Sequence, residues 1–318
     1  MIGIIGGGVA GMSCALWLKH LGFKPVIIER NAKLGGQLLK VDRINRWVLG
    51  AVGKTGIELA KLYADHIAKE GITVFYQTHL QSIACNTNSY DLVLANTDDA
   101  CQLSVSALVV ATGVRVLGHE IFDGTPGFQS AYETGRISFF PLDHLDKLSL
   151  LKGKTVAVIG GGNNAFYTAL DLASVGAKVC LLVRSQPKAR ESLQNEAKNL
   201  IGQNLLEQHI GRVVNAFGQN PDGKMEISLS GKDKSNERIA VDWVFVRAGF
   251  APNTDFMAAF PAFSGIQLEH GYVKTDSAKR TSLPWIYAIG DITNGKHQSV
   301  VSAIADGAVA AQDLAERI

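Results

Sequence analysis

Ile2-Gly3-Ile4-Ile5-Gly6-Gly7-Gly8-Val9-Ala10-Gly11 opens the chain and reads as a short buried strand running into a glycine turn. A helical stretch follows from Met12 to Leu21, and Gly22 ends it. Pro25-Val26-Ile27-Ile28-Glu29 then reads as a second buried strand, parallel to the first. Such a turn suits a pyrophosphate for a physical reason. Glycines let the backbone turn sharply and approach the ligand, while the helix presents unsatisfied N–H groups and a partial positive charge to the anion. The spacing is Gly6-x-Gly8-x-x-Gly11, with Val9 and Ala10 between, and Glu29 closes the next strand 18 residues beyond Gly11. A carboxylate there accepts from adenosine ribose hydroxyls, with Arg30 beside it. A glycine motif alone fits a purely structural turn equally well; the strand before, the helix behind and Glu29 in register favour a nucleotide.

The pattern then restarts. Thr155-Val156-Ala157-Val158-Ile159 is a strand, Phe166 to Ser174 a helix, Gly176 a break, and Lys178 to Val183 the partner strand. The turn between reads Gly160-x-Gly162-x-x-Ala165, with Asn163 and Asn164 inside it, 154 residues after the first. Here the partner strand runs into Arg184-Ser185, with Lys188 and Arg190 just beyond. A carboxylate would repel a ribose 2′-phosphate, whereas guanidinium groups bind it, so this end argues for NADP(H) over NAD(H). The other reading is a solvated basic turn. Between and after these units lie a helix from Ile57 to Lys69, polar meanders around residues 82–105 and 218–238, and a closing unit. That unit comprises strand Trp285–Ile289, turn Gly290-Asp291 and a helix from about Ser299 to Ala315.

At 318 residues the chain is long enough for two domains. A net charge of +2 points to neither nucleic acid nor a membrane surface. No apolar stretch reaches the roughly 18 residues of a membrane span, and a strand expected from Ile2 leaves no room for a leader, so a cytoplasmic protein is expected. The four cysteines, Cys14, Cys85, Cys101 and Cys180, are 71, 16 and 79 residues apart. That spacing makes neither a Cys-x-x-Cys pair nor a zinc ribbon, and no metal site is expected. Cys14 and Cys180 read as small buried thiols in apolar surroundings.

The ordered set Gly6-x-Gly8-x-x-Gly11, Gly35-Gly36-Gln37-Leu38, Ala111-Thr112-Gly113, Gly160-Gly161-Gly162, Pro252-Asn253-Thr254 and Ala288-Ile289-Gly290-Asp291 resembles the low-molecular-weight thioredoxin reductase family. That family includes the thioredoxin-reductase-like ferredoxin/flavodoxin–NADP reductases, and the resemblance runs from Met1 to Ile318. It implies an α/β fold of two Rossmann-like, three-layer ββα nucleotide-binding domains. An FAD domain in two pieces, residues 1–116 and 247–318, would hold an inserted NAD(P)H domain, residues 117–246. FAD and NADP(H) are the implied cofactors.

Residue roles follow from the same resemblance. Asp291, after Gly290, would hold a ribityl hydroxyl, and Gly36, Gln37 and Leu38 would lie along the FAD, with Thr112 and Gly113 in the same site. His297-Gln298 stands where the family usually has Arg-Gln beside the flavin ring, so His297 departs from the pattern while Gln298 keeps it. Asn45 matches the Asn of the family's Glu-Asn-Tyr-Pro-Gly loop, from which Trp47-Val48-Leu49-Gly50 departs. The family's Gly-Gly-Gly-Asp-Ser-Ala becomes Gly160-Gly161-Gly162-Asn163-Asn164-Ala165. Its His-Arg-Arg becomes Val183-Arg184-Ser185, which removes one of two phosphate-binding arginines.

Thioredoxin reductases carry Cys-x-x-Cys just before the second glycine turn. Residues 135–154 contain Ser138-Phe139-Phe140-Pro141-Leu142-Asp143 and no cysteine. Without a thiolate there is no mixed disulfide, so thioredoxin reduction by that route is closed. Cofactor chemistry remains: hydride from NADPH to flavin, then electrons outward, with no side chain named as catalytic. Cysteine-free members of this fold are often ferredoxin or flavodoxin reductases, whose acceptors are acidic. Residues 31–57 carry Lys33, Lys40, Arg43, Arg46 and Lys54 against Asp42 alone, a local charge of +4. That loop either steers an acidic electron carrier or is a solvated basic loop. A small acceptor such as a quinone or oxygen, and a non-catalytic FAD-binding sensor or scaffold, are the alternative functions. Those reductases often add an aromatic tail over the flavin, and a final helix expected to run to the last residues counts against that subtype. A homodimer is the expected assembly.

Overall fold

The computed structural model describes residues 1–96, 99–231, 236–293 and 295–318. The chain divides into two compact units, Met1–Arg115 with Ala251–Ile318, and Val116–Phe250.

The first unit is built on a parallel five-stranded sheet. Its order is Ile286–Ala288, Ala107–Val110, Ile2–Ile5, Pro25–Ile28 and Thr73–Phe75. The central strands are apolar at nearly every position because both faces are covered. On one face Ile2, Ile4, Ile27 and Val109 meet Leu18 of the helix Val9–His20 and Leu314 of the C-terminal helix Val300–Arg317. On the other, Leu108 and Val110 meet Leu92 and Leu94 of an antiparallel meander, His79–Cys85, Tyr90–Ala95 and Ala100–Val105.

The two helices of the first face pack closely because Gly307 has no side chain. A Cβ at that position would lie 2.6 Å from the Ala10 carbonyl oxygen and the Cys14 amide nitrogen. Ser13 fastens the contact by donating from Oγ to the Ile304 carbonyl at 2.7 Å.

The second unit repeats the design. Its parallel sheet runs Leu206–Ile210, Lys178–Val183, Thr155–Ile159, Trp243–Val246 and Ile137–Ser138. Helices Asn163–Ser174 and Glu191–Gly202 cover one face through Phe166, Leu172, Leu193 and Ala197. A meander of Arg212–Gln219, Met225–Gly231 and Asn236–Val241 covers the other through Phe217, Ile227 and Leu229.

Both glycine-turn helices begin earlier than the sequence pattern implies, at Val9 and Asn163. The last residues of each turn already have helical backbone, which brings the helix N-terminus up to the turn. The helix Glu191–Gly202 and strands Leu206–Ile210 and Trp243–Val246 carry no sequence signal strong enough to have been expected. No helix among the described residues is long and apolar enough to cross a membrane.

Candidate functional site

In each unit the first turn glycine lies against a carbonyl of the neighbouring strand. Gly6 has φ +112°, and a Cβ there would sit 2.4 Å from the Ala111 oxygen. Gly160 has φ +150°, and a Cβ would sit 2.3 Å from the Arg247 oxygen. Only glycine satisfies both the left-handed backbone and the contact. The third position differs between the turns. A Cβ at Gly11 would lie 2.0 Å from the Gly6 oxygen, whereas the second turn has room for the buried methyl of Ala165.

The middle glycines, Gly8 and Gly162, are the N-caps of their helices and have extended backbone. Neither helix has a side-chain cap, and a Cβ added at either glycine meets nothing within 4 Å. By contrast, Thr55 and Glu58 form a reciprocal capping box on the helix Gly56–Lys69. The two turns thus offer unsatisfied N–H groups beside open space, which is what a bound pyrophosphate requires.

Around the first turn most of the expected residues converge. Glu29 is buried, 5% exposed, and its Oε2 accepts from the Gly7 amide at 2.7 Å. Its Oε1 accepts from the Asn31 backbone at 2.8 Å and side chain at 2.6 Å. The carboxylate is therefore fixed by the turn itself, and a ribose would use its remaining lone pairs; Arg30 is exposed. The Gly35 amide donates to the Gly7 oxygen at 2.9 Å, which seats Gly36 against Gly8. Gln37 Nε2 donates to the Val114 oxygen at 2.5 Å, and Leu38 is buried. Thr112 and Gly113 are joined to Asn253, whose Nδ2 donates to the Thr112 oxygen at 2.7 Å. Asn45 is used within its own loop, accepting from the Trp47 amide at 2.9 Å.

Gly290 reaches the same helix start, since a Cβ there would lie 2.8 Å from that of Ala10. Its amide donates to Asp306 Oδ2 at 3.0 Å, and Lys279 pairs with Asp306 Oδ1 at 2.7 Å. Asp291, Gly290, Lys279, His297, Ser302 and Asp306 line a cavity of about 330 Å³. Burial, and then the charge of Asp306, raise the Asp291 carboxyl to about 6. His297 is exposed, while Gln298 keeps Nε2 buried with no hydrogen-bond partner among the described residues. An orphaned donor just before the helix Val300–Arg317 suits a ligand rich in acceptors. Asp306 was not among the residues expected here; it interrupts the small-residue stripe Ala303, Gly307 and Ala310 at helical spacing, and that was its signal.

At the second turn, Asn163 Oδ1 accepts from the Arg190 amide at 2.9 Å, which ties the following loop to the helix start. The Gly161 oxygen accepts from the Lys188 and Ala189 amides. Arg190 donates to the Tyr167 hydroxyl and lies over its ring. Arg184, Ser185, Asn164 and Lys188 are exposed, and Arg184 and Lys188 have no ion-pair partner among the described residues. Two cations are thereby left for an anion at the strand end, while Arg190 is held.

A buried polar staple occupies the cysteine-free segment. Arg247 is 5% exposed and donates to Asp143 Oδ1 at 2.9 Å, to Thr168 Oγ1 at 3.0 Å and to the Val246 oxygen at 3.0 Å. Burial pushes the Asp143 carboxyl up and the Arg247 guanidinium down, and each charge opposes that shift in the other. Burial also pushes the Cys14 thiol up to about 12. Cys180 rises to about 11, through burial and then the charges of Glu207 and Glu237. Its surroundings are thus less apolar than expected.

The pattern of the pyridine nucleotide-disulphide oxidoreductase family matches residues 2–307. One alkyl hydroperoxide reductase subunit, from Pseudomonas aeruginosa, is 30% identical over 312 residues, covering 96% of this chain and 56% of that protein. The chain thus spans about half the length of the first curated relatives it matches. Thioredoxin reductase of T. acidophilum is 26% identical with a TM-score of 0.79, covering 99% of this chain and 97% of that one. The Lactococcus lactis thioredoxin reductase is 24% identical with a TM-score of 0.81 at the same coverages, a likeness of fold. The family's cofactors are FAD and NAD(P)H. Both open glycine turns fit a dinucleotide, and the orphaned Gln298 donor fits a flavin.

The raised Asp291 carboxyl sets a pH dependence. The folded state holds its proton between about pH 4 and pH 6 while the unfolded state does not, so stability falls as pH rises through that window. Thermal unfolding of flavin-free protein should find Asp291→Asn more stable than wild type at pH 7, by on the order of 3 kcal/mol. The gap should close towards pH 4. Equal stability at both pH values would place Asp291 in water.

Proposed function

We propose that this chain, which belongs to the pyridine nucleotide-disulphide oxidoreductase family, passes electrons from NADPH to an acidic electron-carrier protein, such as ferredoxin or flavodoxin, without a redox dithiol. The observation that carries the reading is the segment before the second glycine turn. It holds Phe139, Phe140 and Asp143, the partner of Arg247, and no cysteine. The four thiols elsewhere are no substitute, because Cys14 and Cys180 are buried with raised thiol values and Cys85 and Cys101 lie on the first-unit meander.

Gly6, Gly8, Gly11 and Glu29 would hold the adenosine diphosphate half of FAD, and Asp291, Gln37 and Gln298 the flavin half. Gly160, Gly162 and Ala165 would receive the NADPH pyrophosphate, with Arg184 and Lys188 at its 2′-phosphate. When bound, FAD supplies the hydride acceptor and the outgoing electrons. The chain orients both dinucleotides by backbone N–H groups and keeps Asp291 out of bulk water.

Support for a protein acceptor comes from the basic loop. Lys33, Lys40 and Arg46 are exposed there, and so are Ile44, Trp47, Leu49 and Val52, the last three at 70%, 102% and 96%. An apolar patch within a basic rim has the composition of a docking surface for an acidic partner.

Arg184→Ala should remove a charged hydrogen bond to phosphate, a loss of roughly 1.5–3 kcal/mol. That is about ten- to a hundredfold in KM for NADPH, with NADH almost untouched. Equal losses for both nucleotides would make Arg184 structural.

Reversing Arg43 and Arg46 to Glu should slow reduction of an acidic carrier while a small one-electron dye is reduced near the wild-type rate. Carrier reduction should also fall with salt, because the Debye length shrinks from about 10 Å at 0.1 M to about 3 Å at 1 M. Equal slowing of dye and carrier, or catalytic reduction of thioredoxin, contradicts the reading.

A further inference from the structure

The second unit brings together four side chains from three strands that are far apart in sequence. Cys180 lies on the strand Lys178–Val183, while Glu207 and His209 lie on its parallel neighbour Leu206–Ile210. The register pairs Cys180 with Glu207 and Leu182 with His209, so the three side chains share one face of the sheet. The Cys180 sulfur, a Glu207 oxygen and a His209 nitrogen lie within 4.8 Å of one another.

His209 is oriented from the other side. Its Nδ1 is 3.1 Å from Glu237 Oε1, on the meander strand Asn236–Val241. A carboxylate at Nδ1 fixes the N–H there and leaves the lone pair on Nε2. That Nε2 is buried, has no hydrogen-bond partner among the described residues, and lies 3.7 Å from Glu207 Oε2. The His209 side chain is 14% exposed and that of Glu207 76%. Two candidate ligands are therefore held in the wall, and the third reaches them from the solvent side.

We propose that Cys180, Glu207 and His209 bind one zinc ion, with water as the fourth ligand and Glu237 holding His209 in register. Thiolate with imidazole favours zinc over calcium or magnesium, and three protein ligands with a water is a zinc arrangement. On binding, the Cys180 S–H is replaced by a sulfur–zinc bond and the proton passes to water; no oxidation state changes. Arg212, whose Nε is 3.7 Å from Glu237 Oε2, brings a cation to the cluster, beside the carboxylates of Glu207 and Glu237. The ion would clip the edge strand Leu206–Ile210 to its neighbour and to the meander beneath.

Flavin-loaded full-length protein, stripped of metal by chelator, is titrated with Zn²⁺ by calorimetry and with Co²⁺ by absorption at wavelengths beyond the flavin bands. One zinc per chain is expected, with cobalt bands of a tetrahedral thiolate site and a higher unfolding temperature. Cys180→Ser and His209→Ala should lose the stoichiometric site. Glu237→Gln should lower zinc affinity about 10–100-fold. Glu207→Gln, at an exposed side chain that leaves the core intact, should weaken binding in a folded, flavin-retaining protein. A wild type that takes no zinc, or His209→Ala and Glu207→Gln proteins that bind zinc as tightly as wild type, overturns the proposal.

Discussion

Two backbone contacts set the geometry of everything else in the molecule: Gly6 against the Ala111 carbonyl, and Gly160 against the Arg247 carbonyl. Each forces the chain to turn sharply at the end of a central strand and to enter a helix at once. The helix therefore starts with its uncapped N-terminus at the carboxyl end of the central strands, and Gly8 and Gly162 leave that end open. A side chain at either contact would push the turn away and displace the anion site. Close packing elsewhere supports the first of these turns. Gly307 lets the C-terminal helix lie against the first helix, which carries Asp306 to the Gly290 amide.

The recurring constraint made much of the architecture legible. Strand, glycine turn, helix and strand occur twice in the sequence, and the structure has both units where those residues stand. Local signals failed where tertiary pairing decides. Trp243–Val246 is a four-residue apolar run that becomes a strand only because Thr155–Ile159 lies beside it. Glu191–Gly202 is a polar helix with few apolar positions, buried mainly through Leu193 and Ala197. The glycines, Glu29 and Asp291 could be read from spacing and resemblance. Asp306 left only a break in a small-residue stripe, and Arg247 and the neighbours of Cys180 left no signal, because each acts across strands or helices distant in sequence.

The cysteine-free segment before the second glycine turn is a built structure. Arg247 follows the strand whose end backs Gly160, and its guanidinium holds Asp143 and Thr168. The segment that carries a dithiol in thioredoxin reductases is here bonded to the floor and the helix of the second turn. A buried pair of this kind is costly to break from one side, because the remaining charge has no partner. It holds the segment in place and carries no redox chemistry of its own. Under the proposed function, electrons entering the protein would reside on the flavin alone, and that distinguishes the proposal from a dithiol mechanism.

Anaerobic titration of the purified yellow protein with dithionite, followed by flavin absorbance, measures that capacity directly. Complete bleaching is expected after about two electrons per FAD, the capacity of the flavin alone. Uptake of about four electrons per FAD would reveal a second two-electron centre and contradict the account.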